Sequence, residues 1–129
     1  MKAYRWIAAM AMCVTTPAWA DPVLGTYQTQ PGDTGNYAHV EMFQCDASIC
    51  GVIRKAFDGS GQQIESDTIG TRMIWNMQAQ GNGKYTKGKI WAPDRDKTYN
   101  SKMELSGNTL KVSGCVLGIC RGQTWKRVN

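Results

Sequence analysis

The sequence predicts an all-β fold: one domain, built as a small closed antiparallel up-and-down barrel of about eight strands. Three observations carry this. Glycine, asparagine and aspartate punctuate the chain after Asp21, and the short runs between them are rich in Val, Ile, Thr, Tyr and Trp. Tyr99, Ser101, Met103 and Leu105 alternate with Thr98, Asn100, Lys102 and Glu104, so one strand face is mostly apolar and the other polar. No helical period persists beyond two turns after Asp21. Closing the sheet on itself also removes the edges that would otherwise pair with another chain. A two-sheet sandwich is the runner-up.

Strands are expected at 24–30, 37–45, 50–58, 72–79, 84–92, 97–106, 109–117 and 119–128. Pro31-Gly32-Asp33 ends the first, and Asp46-Ala47-Ser48-Ile49 joins the second to the third as a four-residue hairpin loop. The polar stretch 60–70 separates the third from the fourth and suits a loop or one short helical turn. Gln80-Gly81-Asn82-Gly83 and Pro93-Asp94-Arg95-Asp96 turn the chain on either side of the fifth strand, and Gly107-Asn108 follows the sixth. Leu110 and Val112, set against Lys111 and Ser113, repeat the alternation in the seventh.

The first twenty residues read as an address. Lys2 and Arg5 precede nine apolar residues from Trp6 to Val14, and Ala18-Trp19-Ala20 is a small-x-small site before Asp21. Nine helical residues rise about 14 Å, under half of a roughly 30 Å hydrocarbon core, so no transmembrane anchor is expected. The expected division is a signal peptide at 1–20, cleaved after Ala20, and a barrel domain at 21–129, located in the periplasm or secreted. A lipid anchor on Cys13 is the weaker alternative, because Met12 stands where a small residue belongs. Lys2, Arg5 and Cys13 leave with the signal. Of the chain's 15 Lys and Arg, 13 then remain against 10 Asp and Glu, a charge of +3. Lys84, Lys87 and Lys89 are the densest positive cluster, but Asp94, Asp96 and Glu104 follow, and no basic stripe for a nucleic acid appears.

The four remaining cysteines form two C-x4-C pairs. Residues flanking a hairpin loop lie with Cα atoms about 4.5–5.5 Å apart, which a disulfide accepts, so Cys45–Cys50 and Cys115–Cys120 are expected. A long pairing such as Cys45 with Cys120 would stabilise more, about 4 against roughly 2 kcal/mol, but forms less easily. A four-thiolate zinc site prefers shorter knuckles, and a redox pair needs C-x-x-C before a helix; neither reading fits, and no metal is expected.

Nothing specifies a reaction. His39 is the only histidine and lies inside an expected strand, without a Gly-x-Ser-x-Gly turn to present a nucleophile. Asp94 and Asp96 read as a solvated turn rather than as paired catalytic carboxylates. No phosphate-cradling loop is present, so neither an enzyme nor a cofactor is expected.

From Gly25-Thr26-Tyr27, where relatives have Gly-x-Trp, through Cys45 to Cys50 with Gly51-Val52-Ile53, and Lys97-Thr98-Tyr99 after a proline-containing turn, a pattern accumulates. It ends in Gly114-Cys115-Val116-Leu117-Gly118, Cys120 and Gln123-Thr124-Trp125-Lys126-Arg127-Val128. Over these residues the chain resembles the bacterial domain-of-unknown-function family 2147, a group of small exported proteins. The resemblance implies a lipocalin-like barrel in which Arg127 covers the ring of Tyr27, a barrel-closing contact worth about 0.5–2 kcal/mol. Ala92-Pro93 departs from the Asp-Pro of many relatives.

Two functions follow as expectations. In the first, the barrel receives a small, mainly apolar molecule in the cell envelope, lined by Met42, Ile74 or Trp75, Trp91, Tyr99 and Met103. The same residues serve equally as the core of a 109-residue domain, and both readings stand. The alternative is a surface-mediated interaction or inhibitor protein acting on an envelope partner. The positive charge argues against a basic target such as a lysozyme and suits acidic envelope glycans.

Overall fold

A computed structural model describes residues 20–129; residues 1–19, which hold most of the expected signal segment and Cys13, lie outside the described residues. The strands are β1 (Gly25–Gln28), β2 (Tyr37–Cys45), β3 (Ser48–Phe57), β4 (Gln63–Ile64), β5 (Arg72–Gly81), β6 (Lys84–Ala92), β7 (Lys97–Ser106), β8 (Thr109–Val116) and β9 (Ile119–Arg127). Hydrogen bonding runs β2-β1-β9-β8-β7-β6-β5-β3, and the further pairing of β2 with β3 closes the ring. The result is an eight-stranded antiparallel barrel. β4 is a two-residue addition on β3, with Ala56 opposite Ile64, and occupies part of the polar stretch expected as a loop or helical turn.

The hairpin loops expected across both cysteine pairs are shorter than four residues. In β2–β3 the last pair is Cys45↔Ser48, which leaves only Asp46-Ala47 in the turn. Ile49, 3% exposed, is drawn into the core opposite Met77, and this extends the ladder toward the turn. Cys50 therefore faces Phe43 rather than Cys45, and the Cys45–Cys50 disulfide runs diagonally between strands with Cα atoms 5.7 Å apart. In β8–β9, Val116↔Ile119 is the last pair and Cys115 lies directly opposite Cys120, Cα atoms 4.0 Å apart. Leu117 (φ 51°) and Gly118 (φ 79°) make a two-residue turn with both centres left-handed, the conformation that matches strand twist.

Alternation decides what fills the barrel. Val40, Met42, Ile53, Ile74, Met77, Tyr85, Met103, Leu110, Val112 and Trp125 form one buried cluster. Two methionines lie against glycines: a Cβ on Gly51 would approach Met42 Sδ to 2.8 Å, and one on Gly88 would run into Sδ, Cγ and Cε of Met77. Neighbouring strands thus set a large side chain beside an absent one, which is how a narrow barrel accommodates bulky residues. Left-handed residues break the strand period at Asn76 (φ 58°) in β5 and Lys87 (φ 62°) in β6.

Gly88→Ala should destabilise the fold by about 1–3 kcal/mol through overpacking against Met77. Gly32→Ala, whose Cβ meets only Asn36 O at 3.8 Å, should change stability by less than about 0.5 kcal/mol. Urea unfolding midpoints of the two variants check this, and equal midpoints would refute the packing assignment.

Candidate functional site

The two ends of the barrel differ. The β2–β3, β5–β6 and β7–β8 turns share one end with the start of β1, and there the chain before β1 forms a plug. Val23 is fully buried in the core cluster. Asp21 Oδ1 accepts hydrogen bonds from Val23 N at 2.9 Å and from the Tyr85 hydroxyl, and Leu24 N donates to Asp21 O at 3.0 Å. The Tyr27 hydroxyl donates to Val23 O at 2.9 Å.

Arg127, from the last turn of β9's ladder, locks this plug. Its Cζ lies 4.9 Å from the centroid of the fully buried Tyr27 ring. Nη1 donates to Leu24 O at 2.8 Å, and Nη2 donates to Tyr27 Oη at 2.7 Å and to Pro22 O. A planar fork donates from two separated nitrogens in fixed directions while its face lies over the tyrosine ring, which the single ammonium nitrogen of a lysine does not. The glycine of Gly25-Thr26-Tyr27 has its own reason: at φ 138°, a Cβ there would lie 2.5 Å from Arg127 Nη1 and 2.6 Å from Asn129 O. Burial pushes the Tyr27 phenol above its ordinary value of 10.0, with Arg127 opposing. Tyr85 is raised further, first by burial and then by its hydrogen bond to Asp21, which holds the proton on the phenol.

The opposite end is open. Loops 29–36, 58–71 and 93–96 and the β8–β9 turn surround it. Leu110↔Trp125, Val112↔Gln123, Gly114↔Arg121 and Val116↔Ile119 are successive pairs on one face, so Val116 and Ile119 point to the same side as the core residues Leu110 and Trp125. Yet they are 54% and 67% exposed. Ile90 and Tyr99, paired with each other, are half-buried on the adjoining strands β6 and β7, and Gly114 leaves its space to them. The inner face is therefore filled below and bare at the mouth.

The residues proposed from sequence separate accordingly. Met42, Ile74 and Met103 are buried in the filled half, at 1%, 0% and 3% exposure. Trp75 alternates with Ile74 and lies half-buried on the outer wall, beside Phe43 and Arg72 in a surface depression. Trp91 packs against the edge of the core, and its indole N–H donates to Asp96 Oδ1 at 2.8 Å. Only Tyr99 reaches the mouth. His39 sits with Gln28 Oε1 3.2 Å from Nε2 and its ring 4.5 Å from that of Phe57; burial, and then Lys55, lowers its pKa below 6.5. Asp94 lies 4.0 Å from Arg95 Nε. The mouth residues Val116 and Ile119, and the plug residues Asp21, Val23 and Tyr85, were missed. Continuing the Leu110–Val112 alternation through Gly114 reaches Val116.

An eight-stranded antiparallel meander, plugged at one end by the chain before its first strand and open at the other, defines a lipocalin-like barrel. The chain matches over residues 25–127 the family described as "Uncharacterized protein conserved in bacteria (DUF2147)", and it belongs to that family. Its fold is similar to a solved structure described as "Protein HP1028 from the human pathogen Helicobacter pylori belongs to the lipocalin family", with a TM-score of 0.69, 20% identity and 85% of each chain covered. No curated protein matches the chain.

The raised phenols set an alkaline limit. The folded protein keeps the Tyr27 and Tyr85 protons after the unfolded chain has released them, so stability is full below pH 10 and falls as pH rises past it. Tyr85→Phe should flatten that fall in urea unfolding measured at successive pH values, and an unchanged slope would contradict the assignment. Arg127→Lys should cost about 1–3 kcal/mol at neutral pH, because the plug carbonyls lose their donors.

Proposed function

We propose that this is an exported, non-catalytic envelope protein that binds a small, mainly apolar ligand at the mouth of its barrel. The observation that carries the reading is the change along one face of β8–β9. Leu110, Val112 and Trp125 are buried, and Val116 and Ile119, next on the same face, are bare. Apolar side chains on the inner wall of a barrel are covered either by other side chains or by a ligand, and a concave apolar surface with a few polar groups is the usual form of a small-molecule site. Arg121, on the same face opposite Gly114, supplies a polar group.

Met103 and Val112 are both 3% exposed, covered by their neighbours, so the ligand rests on them rather than displacing them. Among the described residues, every buried side-chain nitrogen and oxygen has a hydrogen-bond partner, and the buried Ser101 hydroxyl on the inner wall donates to Ser113 O at 2.7 Å. A ligand needs to bring no polar group into the depth. Export is supported by the n-region, apolar run and cleavage site before Asp21, and by both disulfides, which persist in oxidising compartments. A mature chain beginning at Asp21 keeps the whole plug.

A second reading, a protein acting through its surface on an envelope partner, is favoured by Leu117, 96% exposed at the tip of the β8–β9 hairpin.

The test uses the mature protein and N-phenyl-1-naphthylamine, a dye that brightens in apolar surroundings. Binding is expected in the wild type and should be lost in Ile119→Asp and Tyr99→Ala, while Leu117→Asp retains it. Loss in Leu117→Asp alone would favour the surface reading, and no binding by the wild type would overturn the mouth site.

A further inference from the structure

The lysines that are scattered in sequence are gathered by the sheet. Cα partners in an antiparallel ladder carry their side chains on one face. Lys84↔Glu104↔Lys111↔Thr124 makes one row across β6 to β9, and Lys102↔Ser113↔Gly122 makes the next. Lys89↔Asn100↔Cys115↔Cys120 follows, with the Lys89 ammonium donating to Asn100 Oδ1. Lys126, opposite Thr109, extends the same outer wall.

Lys87 joins them through an irregularity. Tyr85↔Met103 and Gly88↔Ser101 leave two residues, Thr86 and Lys87, facing Lys102 alone, and Lys87 takes the left-handed backbone at φ 62°. This β-bulge brings Lys87, Lys89 and Lys102 around a depression of about 380 Å³ that also exposes Thr86 and Asn100.

The wall is unbalanced. Six lysines share it with one carboxylate, Glu104, and among the described residues the ion pairs are Arg54–Glu41 and Arg95–Asp94, both elsewhere. Most other carboxylates sit around the open end: Asp33, Asp58, Glu65, Asp67, Asp94 and Asp96. The Asp and Glu residues that interrupt the lysines in sequence therefore do not neutralise them in space.

Spacing narrows the ligand class. Successive outward positions on a strand are roughly 6.5–7 Å apart and alternate strands about 9.5 Å, so these charges are spread over a surface instead of converging on one point. A single phosphate meets one or two of them; a chain bearing anionic groups along its length meets most. Two disulfides fit an oxidising compartment, where acidic polysaccharides rather than nucleic acids are the abundant polyanions. We propose that the outer wall of β6–β9, centred on Lys87 and Lys102, is a binding site for an acidic polysaccharide, separate from the mouth.

The experiment is calorimetric titration of the mature protein with heparin, dextran, inorganic phosphate and a single-stranded oligodeoxynucleotide of matched charge. Heparin should bind with an affinity that falls steeply with salt, while dextran and phosphate do not bind measurably. The combined variant Lys84→Gln, Lys87→Gln, Lys102→Gln and Lys111→Gln should bind heparin about a hundredfold or more weakly, at about fivefold per lysine facing an anionic surface. Replacing the same four with arginine should retain binding, which separates lost charge from lost folding. Arg54→Gln, Lys55→Gln, Arg95→Gln and Lys97→Gln together remove equal charge elsewhere and should leave affinity nearly unchanged. Equal weakening by both glutamine sets would reduce the effect to net charge and overturn the site. Tighter binding of the oligonucleotide, or binding of phosphate as strong as that of heparin, would overturn the ligand class.

Discussion

The barrel depends on one seam. Seven of its eight strands have eight to ten residues, but β1 has four, and it meets β9 through only Tyr27↔Arg127 and Gln28↔Lys126. A ring this weakly joined would open into a sheet with two unpaired edges. The bonds beyond the strands hold it: Val128 N donates to Thr26 O at 2.8 Å and Thr26 N to Asn129 O at 2.8 Å. Arg127 then ties β9 to the segment before β1 through Pro22, Leu24 and Tyr27. Gly25 exists to let that guanidinium in. The plug, the seam and the covered tyrosine are thus one structure, and the closed end follows from it.

Closure at one end leaves function to the other surfaces. An eight-stranded barrel is just wide enough to be filled or to hold one ligand, and this one divides the choice along its axis. Methionines packed over inner-wall glycines fill the half next to the plug, and the bare inner faces of β8 and β9 lie beyond β1, where no neighbouring strand covers them. The fold alone would not decide a binding role. The division between covered and bare residues on a single strand face is what supports the proposed mouth site, and the lysine wall adds a second surface with a different chemistry.

Much of the fold was legible because antiparallel meanders announce themselves by turns. The boundaries of β2, β6 and β7 agree with the expected strands, and those of β5, β8 and β9 differ by no more than two residues, because Gly, Asn and Asp mark their ends. The turns at the cysteines were less legible. Leu117 is a poor turn former by type, and only the following glycine shows that it takes φ 51°. β4 is too short to carry a period. Which side of β5 faces inward was undecidable from Ile74-Trp75 alone, since the left-handed Asn76 resets the alternation before Met77. The lysine wall was hidden for a different reason: sequence proximity placed Asp94 and Asp96 beside Lys89, whereas the strand carries them to the open end.

The central proposal is that this barrel, sealed and filled at one end, binds a small apolar ligand at the other. Methyl and amide NMR of the mature protein, titrated with N-phenyl-1-naphthylamine, tests it most directly. The account predicts shifts at Ile90, Tyr99, Val116 and Ile119, with Met42, Met77 and Met103 nearly unmoved. Shifts centred on those three methionines would mean that the ligand enters the depth and that the filled half yields to it, contradicting the account.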